Sequence, residues 1–203
     1  MTRRLLRYGE TATLVECRTT LEARALDAAL RSRADSEIAE LVPGANSVLI
    51  KWNGPARSRL IDFLEHGRLD PAAVADGPMI TVPVRYDGAD LDHVAGLVGT
   101  DAAGVIEAHT GQTWTVAFCG FAPGFGYLVG EHARLTVPRR AQPRTRVPAG
   151  SVALADTYCG IYPRATPGGW QLIGRTDLSV WDLDRDPPAL LRPGCRVRFE
   201  AIR

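Results

Sequence analysis

Lysine is almost missing from this chain: Lys51 is the single one, so nearly all of the 24 basic residues are arginine. No Gly-Lys-Ser/Thr triplet exists, which excludes a Walker-type phosphate loop. Cysteine is equally sparse. Cys17, Cys119, Cys159 and Cys195 lie far apart without a C-x-x-C pair, so neither a zinc site nor a disulfide framework is expected, and no metal is assigned. A net charge of +1 excludes a highly charged disordered tail and a globally basic nucleic-acid binder. Only residues 110–130 form a long stretch without charge. Gly111, Gly120, Gly124, Gly126, Gly130 and Pro123 interrupt it, so it reads as a buried strand and a tight loop, not a membrane span. The opening Met1-Thr2-Arg3-Arg4 leads into a short apolar stretch and a turn with no signal-peptide core, and a cytoplasmic location is expected.

What is present is a chain of 203 residues, 45% hydrophobic, able to bury a core in one large or two small domains. Thr13, Val15 and Cys17 alternate as in a strand. Thr19-Thr20-Leu21-Glu22 is a capping box, opening a helix with apolar Leu21, Ala25, Ala28 and Ala29. Val48, Ile50 and Trp52 predict another strand. Pro55 suits the first turn of a second helix, which has Leu60, Ile61 and Leu64 on its buried stripe and Gly67 as cap. Residues 1–78 thus read as a small two-layer α/β domain, with 68–78 as linker. From residue 79 to 203 the expected order is a strand (Ile80, Val82, Val84, Tyr86), a helix (Leu91, Val94, Ala95, Val98, closed by Gly99) and a shorter helix over 101–109. Short strands follow, at Trp114–Phe118, Leu178–Val180 and Val197–Phe199 among others, separated by Gly/Pro turns. They describe a closed or nearly closed β-barrel, making the whole chain α+β.

Residues 134–175 carry seven arginines (Arg134, Arg139, Arg140, Arg144, Arg146, Arg164 and Arg175) against one acid, Asp156. Guanidinium forks grip carboxylate or phosphate, so this stretch either holds an anion or pairs with acids elsewhere. Interleaved aromatics and a groove-reading helix are both missing, so nucleic acid is not expected. The same stretch fixes its backbone with Pro138, Pro143, Pro148, Pro163 and Pro167 and with Gly150, Gly168 and Gly169. Other motifs fail. Gly124-x-Gly126-x-x-x-Gly130 has one residue too many for a dinucleotide fingerprint, and Ser151 lacks a nucleophile-elbow context. His66, His93, His109 and His132 read as surface or helix-end residues, and Cys119 as a buried thiol.

Several ordered blocks resemble one family: Gly120-Phe121-Ala122-Pro123-Gly124-Phe125-Gly126-Tyr127-Leu128, Pro138-Arg139-Arg140, Pro143-Arg144, Val147 through Val152, Ile161-Tyr162-Pro163, and Pro167 through Thr176. They are similar to the B subunit of bacterial ATP-dependent 5-oxoprolinase, also labelled allophanate hydrolase subunit 1. That family includes sporulation-kinase inhibitors and is similar to the carboxyltransferase region (domain C/D) of urea carboxylase. The resemblance implies that the barrel is cyclophilin-like. It also implies a partner, the C subunit (allophanate hydrolase subunit 2), a third lactam-hydrolase subunit, and ATP as co-substrate of a complex converting 5-oxoproline to glutamate. The chain is then an enzyme subunit, inactive alone and acting on a small anionic substrate. An allophanate- or urea-related activity and regulatory binding to a histidine kinase are the alternatives. No catalytic residue transfers. Arginine chemistry combined with motif position selects Arg139, Arg144 and Arg175 for the anion, Tyr127, Trp170 and Gln171 for the pocket, and Pro123, Gly124, Pro148, Gly150, Pro167, Gly168 and Gly169 for loop shape. Gly126, where the family has a second proline, is expected to loosen its loop.

Overall fold

The computed structural model describes residues 2–54, 60–70 and 77–203, in two compact units, Met1–Ala75 and Asp76–Arg203. Pro55 and most of the linker expected over 68–78 lie outside the described residues.

The first unit is a four-stranded antiparallel sheet with helices. Strands β1 (Arg4–Tyr8), β2 (Ala12–Glu16), β3 (Ile38–Pro43) and β4 (Ser47–Trp52) pair in the order β1-β2-β4-β3. The expected capping box starts helix α1 (Thr20–Arg33): Glu22 N–H donates to Thr19 Oγ1 at 3.1 Å, and Arg18 N–H donates to the Glu22 carboxylate at 2.9 Å. Its buried face matches the expected one only in part. Ala25 is buried as expected whereas Leu21 is exposed, and Ala23, Leu26 and Leu30 face the sheet. With Val15, Val48, Ile50 and Trp52, and with Leu60 and Leu64 at helix α2 (Ile61–His66), they form this unit's core. Gly67 caps α2 with an ordinary negative φ of −55°, its N–H bonding Phe63 O.

The second unit is a strand-rich barrel. Its elements are β5 (Met79–Val84), α3 (Leu91–Val98), α4 (Ala102–Thr110), β6 (Trp114–Cys119), β7 (Gly126–Gly130), β8 (Arg144–Val147), β9 (Ser151–Ala155), β10 (Tyr158–Ile161), β11 (Thr166–Gly168), β12 (Gln171–Arg175) and β13 (Arg196–Ala201). Seven strands pair in the order β12-β9-β10-β7-β6-β13-β5. Reciprocal backbone bonds between Arg85 and Arg175, at 2.9 and 2.8 Å, join the two edges and nearly close the barrel. β8 and β11 form a separate two-stranded ribbon. Both predicted helices are present, α3 closed by Gly99 in the left-handed region (φ 73°) and α4 capped by Asp101. Leu178 and Val180 do not form a strand: Leu178 N–H bonds the Thr176 hydroxyl, and Val180 reaches the core from irregular chain. Gly126 is not loose either. It opens β7 opposite Cys119, where an added Cβ would stand 3.2 Å from Val116.

Alternation along β9 sets up the site. Val152 and Leu154 enter the barrel core with Val116, Leu128 and Phe199, while Ala153 and Ala155 point to the other face, where a second apolar cluster sits. His109 does lie in the last turn of α4, as expected of a helix-end residue, but it is not at the surface: it is fully buried. It sits on the same α4 face as Val105, four residues earlier, and its ring lies 4.2 Å from that of Phe199. Burial depresses its pKa to about 3, so the imidazole is neutral, between the Tyr86 hydroxyl at 2.7 Å and the Cys159 thiol at 3.2 Å. All four cysteines are free, and among the described residues no helix is long and apolar enough to cross a membrane.

Candidate functional site

Small residues on the outer face of the barrel sheet make a bed for large ones. Ala153, Ala155 and Gly160 leave space there, and a Cβ on Gly160 would stand 2.7 Å from the Phe125 ring. Phe125 packs edge-on against Tyr127, Tyr162 and Trp170, with centroids 5.1–5.4 Å apart. Tyr127 in turn stacks on Phe118 at 4.3 Å. Gly168 is small for a local reason: a Cβ would fall 2.4 Å from the Tyr162 hydroxyl. Phe125, Tyr127, Tyr162, Trp170 and Gly168, with Phe121, Gly169 and Arg139, line a pocket of about 130 Å³.

Among the described residues one charged group, Arg139, lines this pocket. Arg139 lies on a segment anchored on both sides. The Gln171 amide donates to Pro138 O at 3.0 Å, Arg140 N–H donates to Gly169 O at 2.8 Å, and Val137 exchanges backbone bonds with Asp156. The Arg139 side chain is mostly exposed and touches Asp156 only at 3.7 Å, a solvent-screened pair that leaves the guanidinium available.

The three arginines selected from sequence do not converge. Arg144 spends its fork on Asp90, both nitrogens donating at 2.8 Å, and Arg140 donates to the same carboxylate. Arg175 pairs with Asp87 at 2.9 Å at an exposed site. Asp90 escapes a reading of the sequence because its partners lie 50 to 82 residues away. It is 3% exposed, and its carboxylate also accepts from Leu172 N–H at 2.7 Å. Burial works to raise its pKa, but the bonds from Arg144 and Leu172 and the charges of Arg144 and Arg140 outweigh that, and the net direction is down. Asp90 therefore clamps the start of α3, the arginine segment and β12 together.

The loop residues have separate jobs. Pro123 and Gly124 (φ 81°) occupy the two central positions of a turn closed by Phe125 N–H to Ala122 O at 3.0 Å, a type II arrangement. Gly150 (φ 78°) turns the chain between β8 and β9 after Pro148, bonding Tyr162 O and Thr176 N–H. Pro167 sits exposed in β11. Tyr127, Trp170, Gly168 and Gly169 line the pocket, while Gln171 braces the Arg139 segment from behind.

Burial raises the pKa of both Tyr127 and Tyr162 against the opposing pull of Arg139, so both phenols stay protonated at neutral pH and can donate hydrogen bonds. No histidine, cysteine, serine or lysine is among the described residues that line the pocket. Cys119 holds no nucleophilic thiolate: burial pushes it up to about 11 and its thiol donates to Leu191 O. Among the described residues no cluster of three metal-ligating side chains occurs. The arrangement can sandwich one small ring and hold an anionic substituent at the rim.

Comparison with known proteins gives a consistent set. Residues 3–191 match the family described as carboxyltransferase domain, subdomain C and D. The chain is 40% identical over 202 residues to a protein of Escherichia coli O157:H7 named as the B subunit of 5-oxoprolinase, covering 94% of this chain and 92% of that one. It is 43% identical over 127 residues to the Bacillus subtilis (strain 168) protein of the same name, covering 61% of this chain and 53% of that one. Among solved structures, TTHA0988 superposes with a TM-score of 0.75 at 35% identity, over 99% of this chain and 40% of that longer one. The Kluyveromyces lactis urea carboxylase superposes with a TM-score of 0.77 over 99% of this chain and 22% of that one; at 21% identity this shows shared fold alone.

Proposed function

The chain belongs to the carboxyltransferase-domain family of subdomains C and D, among relatives named as the B subunit of 5-oxoprolinase, and on that premise we propose that it is one subunit of a 5-oxoprolinase-type complex. That complex opens the lactam of 5-oxoproline to glutamate at the expense of ATP. The observation that carries the reading is the aromatic pocket with Arg139 at its rim.

Size selects the ligand. An apolar cavity of about 150 Å³ accommodates one benzene ring, so a pocket of about 130 Å³ accommodates one small ring. 5-Oxoproline is a five-membered lactam carrying one carboxylate. Its ring suits the aromatic walls, its carboxylate suits the Arg139 fork, and its carbonyl can accept from a phenol of Tyr127 or Tyr162. A nucleotide is several times too large, so ATP is bound elsewhere in the complex. Arg140 and Arg144 act through Asp90 as positioning residues, and Arg175 adds positive charge at the barrel seam.

The pocket supplies no nucleophile and base pair, so ring opening needs groups from partners. These are a homologue of the C subunit (allophanate hydrolase subunit 2) and a third lactam-hydrolase subunit, with the complex working in the cytoplasm. The test is reconstitution. The purified chain alone shows no 5-oxoproline-dependent ATP hydrolysis, and addition of both partner subunits restores it. Robust turnover by the single chain, or an assembled complex indifferent to 5-oxoproline, overturns the reading.

A further inference from the structure

Among the described residues Phe121 is the one bulky side chain with a positive φ (65°), and it is also 59% exposed. Ala122 N–H bonds Gly120 O across it at 2.7 Å, so Phe121 is the apex of a three-residue turn of the rare, strained γ kind. Phenylalanine is poorly suited to this conformation, which glycine adopts without penalty. The surrounding loop nevertheless enforces it. Gly120 N–H bonds Phe125 O, the Ala122–Phe125 turn closes at 3.0 Å, and Gly124 is backed by Trp181, where an added Cβ would stand 2.7 Å from the Trp181 Cβ. The result is an aromatic ring held edge-on to Phe125 at 5.3 Å and to Tyr162 at 6.2 Å, lining the pocket with its outer side in solvent. Strain kept in place by a rigid frame, at a residue whose ring is largely unburied, is the pattern of a site shaped for a ligand and not for the fold.

We propose that Phe121 is a specificity-determining residue, the outer wall of the ring pocket, preset so that a bound five-membered lactam is sandwiched between it and the inner aromatics. The proposal rests on the reading of this pocket as the 5-oxoproline site. It assigns to Phe121 contact with the ring and to Arg139 contact with the carboxylate. Preorganisation explains why the loop is so heavily hydrogen-bonded: the wall stands before the ligand arrives, and no ordering cost is added on binding.

The experiment titrates the full chain with L-5-oxoproline, following the fluorescence of Trp170 in the pocket wall, and records thermal melts of the same proteins. Variants are Phe121→Ala, Phe121→Gly, Phe121→Tyr and, for the inner site, Arg139→Gln and Tyr127→Ala. Removing the ring in Phe121→Ala or Phe121→Gly weakens binding about tenfold, equivalent to about 1.4 kcal/mol, while Phe121→Tyr restores it. The melts add a signature of the turn: Phe121→Gly is the more heat-stable of the two truncations, the reverse of the ordinary Ala-over-Gly order. Loss of binding in Arg139→Gln and Tyr127→Ala with wild-type affinity in Phe121→Ala overturns this inference and leaves the pocket assignment standing. No binding by the wild-type chain, or affinity unmoved by all five substitutions, overturns both.

Discussion

Acid sensitivity of the barrel provides a sharp test of how the second unit is held together. His109 is fully buried among Tyr86, Trp114, Cys159 and Phe199, and no charged group among the described residues pairs with its imidazole. Burial lowers its pKa to about 3, while in the unfolded chain it returns to about 6.5. The unfolded state therefore binds the proton first. Stability from this residue is complete above about pH 6.5 and is lost as pH falls, at about 1.4 kcal/mol per unit. The loss is on the order of 2 kcal/mol between pH 6.5 and 4.5 and about 4 kcal/mol by pH 3. The neighbours do not compete, since burial raises both the Tyr86 phenol and the Cys159 thiol and keeps them neutral. Asp90 and Glu22, whose pKa values are lowered, contribute stability that is lost mainly below about pH 4.5, as their unfolded-state carboxylates protonate. The window from 6.5 to 4.5 thus belongs to His109. Urea titrations at half-unit pH steps, followed through Trp114 fluorescence, should show the midpoint falling across that window in the wild-type chain. His109→Gln, less stable at pH 7, should show a nearly flat midpoint. Equal slopes in the two proteins would refute the assignment.

Two further substitutions, with a third as control, probe the frame of the site. Asp90→Asn leaves Arg140 and Arg144 facing each other without their carboxylate, and should cost about 3 kcal/mol, seen as a Tm lower by about 10 °C; a shift under 1 °C would show that the clamp is dispensable. Gly150→Ala should destabilise by more than about 2 kcal/mol, because φ is 78° and the new Cβ would lie 2.2 Å from the Thr176 carbonyl oxygen. Gly96→Ala, on an exposed helical surface with nothing within 4 Å, should be neutral or stabilising by up to about 1 kcal/mol. Equal effects of the two in a thermal melt would contradict the turn geometry.

Local signals in the sequence are readable where one element satisfies its own ends. The Thr19–Glu22 capping box, Gly99 after α3 and the 2-residue alternation of β6 each state their structure without distant partners. Edge strands are not legible. The Arg-Leu-Leu-Arg-Tyr run of β1 is half-exposed and carries no clean alternation. Leu178 and Val180 mimic alternation, yet their backbone bonds a side chain and an irregular segment instead of a ladder. The basic stretch draws attention to residues 134–175, but charge counting does not separate a free guanidinium from a paired one. That distinction depends on Asp90 and Asp87, which arrive from a different element. His109 does have a signal: its spacing from Val105 places it on the buried face of α4. The pocket walls are legible only through resemblance, because Phe125, Tyr162 and Trp170 meet over small residues of β9 and β10 that carry no chemistry of their own.

On the proposed function this chain binds the lactam through the aromatic pocket and Arg139, while ATP is bound elsewhere in the complex. Steady-state ATP hydrolysis by the reconstituted complex, with Arg139→Lys in this chain and each substrate varied in turn, tests it most directly. Lysine keeps the charge and removes the bidentate fork. A charge-assisted bond of about 1.5–3 kcal/mol predicts a 5-oxoproline KM raised on the order of tenfold to a hundredfold with the ATP KM unchanged. An unchanged 5-oxoproline KM, or a rise in the ATP KM instead, would contradict it.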